Sequence, residues 1–149
     1  MNEGGVWLAL GGCLSLTAAL AHLATIFGGA KWYRTMGAGE RLARAAERGE
    51  AFPAMVTLAI ALVLVGWAAY GASGAGLIAR LPLLRLVLIG ITLVYLARGM
   101  VVFWPGLLRR SDLTPAFLTW SSLIVLTIGV IHAIGVWRVW PMLAAQADG

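Results

Sequence analysis

The sequence predicts an all-α protein, an antiparallel four-helix transmembrane bundle with a short amphipathic interfacial helix after the first span. Three observations predict it. Hydrophobic residues make up 61% of the 149 positions and charged residues 11%, with a mean hydropathy of +0.91, whereas soluble domains carry about 25% charged residues. The apolar residues fall into four runs, each longer than the roughly 20 residues a helix needs to cross about 30 Å of hydrocarbon. The basic residues behind the net charge of +5 gather at the ends of those runs. That pattern marks membrane orientation and argues against nucleic acid as a partner.

The first span is expected over 5–28. It lacks a basic leading region and continues past Ala21 without a cleavage site, so it reads as a span and not as a signal peptide. Gly5, Ala9, Cys13, Thr17, Ala21 and Thr25 recur at four-residue spacing along it. Such small-residue rows let helix backbones approach in lipid, here as bundle packing or, alternatively, as a dimer face. Cys13 is the single cysteine and reads as a small packing residue. Loop one then carries Lys31, Arg34, Arg41, Arg44 and Arg48 with Glu40, Glu47 and Glu50. Within it a short helix is expected over 38–49, its charged residues on one arc and Leu42, Ala43, Ala45 and Ala46 on the other.

Spans two to four are expected over 51–73, 81–104 and 115–137. Pro53, Pro82 and Pro115 stand in their first turns, where a missing N–H costs least. Glycine-rich 72–76 and Pro105-Gly106 are breaks. Ser121, Gly129 and Ala133 give the fourth span a small-residue line of its own. No internal repeat divides the chain, and 1–149 reads as one integral membrane domain.

Loops one and three hold most of the basic residues, the latter with Arg109 and Arg110, against Arg80, Arg85 and Arg138 on the other side. The positive-inside rule therefore puts both termini outside, in the periplasm if the membrane is a bacterial inner membrane. This threading places Trp7, Trp67, Trp137 and Trp140 at one interface and Trp32, Trp104 and Trp120 at the other.

The candidate ligand-binding residues are His22, Trp32, Tyr33, Glu40, Glu47, Tyr95 and Arg98. His22 and Arg98 each lie about six residues from the inner end of a span, roughly 9 Å deep. An arginine at such depth needs a partner, a phosphate headgroup or a wet cavity. No Asp or Glu occurs between Glu50 and Asp112, so the expected partner is Glu40 or Glu47, with loop one folded back over the bundle mouth. The bland alternative is an arginine that snorkels to lipid phosphate and a loop helix with a solvated face.

His132 is expected in the outer half, on the opposite leaflet from His22, so the pair does not serve one haem or metal. Ala18, one turn before His22, leaves room for a flat macrocycle, but two residues do not define a cofactor site. The spans hold no lysine for a retinal Schiff base and no Asp or Glu for a carboxylate proton relay. No metal site is expected, and no cofactor is identified.

The runs Ala21-His22-Leu23, Ile26-Phe27-Gly28-Gly29, Trp32-Tyr33-Arg34 and Gly37-Ala38-Gly39-Glu40, followed by Phe52-Pro53-Ala54 and Leu81-Pro82-Leu83-Leu84-Arg85, resemble a group of small bacterial four-helix membrane proteins. The resemblance covers about two-thirds of the chain. It implies an inner-membrane four-helix protein and transfers no catalytic residues, since no activity is established for that group. The plan is also similar to that of the sterol-isomerase-like EXPERA proteins. Those carry acidic residues on their helices, where this chain has none.

The expected function is binding of a lipid or other apolar molecule, with the inner-leaflet polar cluster holding its head. One alternative is an accessory or assembly subunit of a larger membrane complex. The other is a membrane-embedded enzyme acting on a lipid-like substrate through Glu40 or His22. Expected partners are the bilayer and either an apolar small molecule or a membrane protein.

Overall fold

The computed structural model describes residues 2–104 and 115–145. Arg109, Arg110 and Asp112 lie outside the described residues. Among these residues five α-helices and one 3-10 turn follow in order: α1 (Glu3–Thr35), α2 (Glu40–Glu47), α3 (Phe52–Gly74), α4 (Leu84–Met100), the turn Val101–Phe103, and α5 (Pro115–Ala145). Four helices are long and apolar enough to cross a membrane, and the protein is a multi-pass helical bundle.

Each helix begins and ends for a local reason. The Asn2 side chain accepts from the Gly5 N–H at 2.7 Å and caps α1. Gly29, at φ 63 and ψ −157, leaves helical geometry inside α1 and kinks it just beyond the expected end of the span. Pro53 stands in the first turn of α3 as expected. The third span differs from expectation. Its helix starts at Leu84 after a left-handed Leu83 (φ 54), and Pro82 belongs to the preceding connection. That connection is fixed by side chains of α3. Ser73 Oγ donates to the Ala79 carbonyl and accepts from Leu81 N–H, and the Tyr70 hydroxyl donates to the Pro82 carbonyl. The helix of the fourth span, α5, begins at Pro115 and runs past the expected 137 to Ala145.

The bundle is knitted by glycines. A β-carbon at Gly71 would meet Gly12 Cα at 3.0 Å, so α1 and α3 touch backbone to backbone. Gly4 lies against Val139, and Gly129 against Leu96. Leu8 is fully buried, its side chain against Gly74 on α3 and Gly135 on α5. These contacts gather the described termini and the α3–α4 connection at one end of the bundle. Loop one lies at the other, where Phe117 at the start of α5 fills the space beside Gly37.

The four-residue row on α1 does not form one face. Four residues advance about 40° more than a full turn, so the row drifts around the helix. Gly5 is buried, Cys13, Thr17 and Ala21 point away from the protein, and Thr25 is buried again. The inward seam is instead Gly4, Leu8, Gly11, Ser15 and Ala19, spaced by four, three, four and four. On α5, by contrast, Ser121, Gly129 and Ala133 all sit at least half-buried.

Candidate functional site

Loop one is a self-contained ionic clamp. Past the Gly29 kink the chain carries Arg34 across the carboxylate face of α2. Arg34 Nε and Nη2 donate to the two oxygens of Glu40 at 2.9 and 3.0 Å, and Nη1 donates to Glu47 at 2.8 Å. Arg44 Nε adds a bond to Glu40 at 3.0 Å from one turn along α2. These hydrogen bonds, Arg34 first and Arg44 second, hold the Glu40 carboxyl down to about 2. The Arg34 bond also lowers Glu47. A carboxylate this acidic, bonded at both oxygens, is not poised to move a proton near neutral pH. Beneath the clamp, Ala43 and Ala45 of α2 are buried against the bundle.

This arrangement corrects the expected pairing of Arg98. Glu40 and Glu47 turn to Arg34, which the kink delivers within reach, and neither meets Arg98. Among the described residues, Arg98 Nη1 donates to Ser122 Oγ at 3.0 Å and Nη2 to Ser121 Oγ at 3.4 Å, both on α5. Arg98 is exposed on the bundle surface, and Ser122 is fully buried. The antiparallel register of α1 and α5, Gly4 at Val139 and Gly11 at His132, continues to bring His22 to the level of Ser121. His22 Nδ1 bonds the Ala18 carbonyl at 2.8 Å. A carbonyl only accepts, so Nδ1 carries a proton, and the ring sits at a half-buried position.

Trp32 is 40% exposed and its ring lies over Gly28. Tyr33 is buried, and its hydroxyl has no hydrogen-bond partner among the described residues. Of the seven candidates, His22 and Arg98 share a level, while Trp32, Tyr33, Glu40 and Glu47 belong to the loop-one layer.

Tyr95 departs from the expected cluster. It is buried in the bundle interior, where its hydroxyl lies 2.8 Å from Ser15 Oγ. Ser15 spends its own proton on the Gly11 carbonyl at 3.0 Å, so the tyrosine donates. The Tyr95 ring meets Trp67 edge-on at 4.9 Å and His132 at 5.3 Å between centroids. Trp67 therefore faces the core, against the expectation that it anchors an interface.

His132 is fully buried. Its Nδ1 bonds the Ile128 carbonyl at 3.0 Å, which leaves a buried Nε2 lone pair with no described partner. Sequence reasoning missed this Ser15–Tyr95–His132 group. The signal that locates it is the three-and-four spacing Gly4, Leu8, Gly11, Ser15, which puts Ser15 on the inward seam.

Among the described residues no group of three side chains is placed to hold a metal ion. The chain matches no family model, no curated protein and no solved structure.

Proposed function

We propose that this is a membrane-embedded binding protein for an amphipathic molecule with an anionic head, taken up at the loop-one end of the bundle. The observation that carries this reading is Arg98. It is an exposed guanidinium inside a spanning segment, oriented by two hydroxyls, while Glu40 and Glu47 are engaged by Arg34 and Arg44. A guanidinium has five N–H donors in a planar fork suited to phosphate or carboxylate. Ser121 and Ser122 take up two of its groups and leave others for a headgroup. The apolar helix faces beside it accept the tail. Under the positive-inside rule the basic loop one is cytoplasmic and both termini are periplasmic, in a bacterial inner membrane. His22 is the second polar group at that level.

The test is mass spectrometry of protein extracted from its own membrane in lipid nanodiscs. A retained anionic amphiphile that is lost from Arg98→Gln and weakened in Ser121→Ala/Ser122→Ala is the expected result. Retention unchanged by Arg98→Gln rejects this site. Stoichiometric protein partners in place of a small molecule would favour an assembly subunit, a reading for which the outward Cys13, Thr17 and Ala21 offer a face. A phosphatase fused after Gly149 should be active in the periplasm, and cytoplasmic activity there would reverse the threading.

A further inference from the structure

A second site lies at the opposite end of the bundle, on the membrane-facing side of α4 and α5. There a groove of about 420 Å³ has Thr92 and Ala133 as its floor, Ile89 and Val136 as walls, and Trp137 and Trp140 at its upper end. The recess exists because its floor residues are small. The groove is apolar throughout, because the Thr92 hydroxyl is spent on the Leu88 carbonyl of its own helix at 2.7 Å. Along α4 its lining runs from Leu93 to Ile89, about 6 Å of helix, and Arg85 stands one turn beyond.

The groove is continuous with a polar feature. The Arg85 guanidinium lies 4.4 Å over the Trp140 ring, held there as a cation on an aromatic face. Arg85 also borders a second hollow of about 420 Å³, formed by residues 80–86 where Leu83 turns left-handed. The Arg85–Trp140 contact joins the two hollows. One is apolar and the other is edged by two arginines, and among the described residues no acidic one lines either.

We infer that this composite groove holds an anionic glycerolipid, one acyl chain between α4 and α5 and the phosphate at Arg85. Charge complementarity selects the headgroup. The ring contact fixes the guanidinium plane and leaves its N–H edge for phosphate oxygens. The apolar lining of the groove suits a hydrocarbon chain. This site is separate from Arg98, which stands at the other end of the same helix.

Photolabelling in nanodiscs tests it. Phosphatidylglycerol and phosphatidylcholine probes with a diazirine in the acyl chain are compared, and labelled peptides are read by mass spectrometry. The phosphatidylglycerol probe should label residues 89–93 and 133–140 several-fold more than the phosphatidylcholine probe and more than other helix faces. Arg85→Gln should remove the preference between headgroups. Ala133→Phe, which fills the floor, should cut labelling of the groove with both probes. Arg98→Gln should alter neither result, so failure here and failure at the Arg98 site are distinguishable. Uniform labelling around the bundle, equal labelling by both lipids, or a preference that survives Arg85→Gln would overturn the inference.

Discussion

Gly11 and the imidazole of His132 occupy complementary halves of one space: a β-carbon at Gly11 would stand 2.6 Å from His132 Cε1. The ring cannot yield easily, because its Nδ1 is bonded to the Ile128 carbonyl and its face lies along Tyr95. Gly11→Ala should therefore destabilise the bundle by about 1–3 kcal/mol through overpacking. In a His132→Ala background the same change should be nearly neutral, because the added methyl then enters vacated volume. Unfolding in mixed micelles measures both, and additive effects would contradict the contact.

The Ser15–Tyr95 bond makes a second prediction through its asymmetry. Ser15→Ala leaves the Tyr95 hydroxyl buried without a partner, at a cost of about 1–3 kcal/mol. Tyr95→Phe removes the donor while Ser15 keeps its bond to Gly11, and should cost less. The double variant should be more stable than the sum of the singles predicts. The same unfolding assay decides, and a Tyr95→Phe variant weaker than Ser15→Ala would reverse the assigned donor.

At loop one, Arg34→Gln should release α2 without unfolding the bundle. The ion pairs are exposed and contribute little to global stability, but together with the buried Ala43 and Ala45 they fasten α2 to the end of α1. Tryptic cleavage after Arg41 and Arg44 should rise several-fold while the thermal midpoint holds. Arg34→Lys should not restore protection, since an ammonium cannot span Glu40 and Glu47 with a planar fork.

The same clamp predicts an acid response. The Glu40 carboxyl titrates at about 2 in the folded protein, below the usual value of about 4.3 for an unpaired glutamate. A carboxyl lowered in this way contributes fully above the unfolded value and loses its contribution as pH falls through the folded one. A nitroxide at Arg41→Cys, in a Cys13→Ser background, should be immobile at neutral pH and gain mobility from about pH 4 downward. High salt at neutral pH should loosen it as well, by screening. Loosening that begins near pH 6 would point to a histidine and not to the clamp.

The four spans and the break after the first were legible in the sequence because hydrocarbon thickness and glycine conformation act locally. Pro82 misled because a proline that opens a helix and one that closes the preceding connection have similar surroundings. Here the hydroxyls of Tyr70 and Ser73, from another helix, decide between them. The charges of loop one were visible, but not their pairing. The choice between Arg34 and Arg98 as partner of Glu40 depends on the direction the chain takes after Gly29. Tyr95 was placed by depth with Arg98, yet its side chain points into the bundle, toward Ser15. Depth along an axis is readable from residue count, whereas the direction of a side chain is set by neighbours distant in sequence.

Gly29 has open space around the position of its missing side chain and a backbone geometry that other residues rarely adopt. A straight helix of the 33 residues of α1 would reach about 50 Å, well beyond the hydrocarbon layer. The break divides that length into a rigid crossing and a short lever that carries Arg34 and, through it, α2. The bundle consequently has a bend at a single residue near the end of its first apolar run. Past it the chain runs over the mouth of the bundle, where Tyr33, Ala43 and Ala45 are buried and Phe117 fills the space beside Gly37.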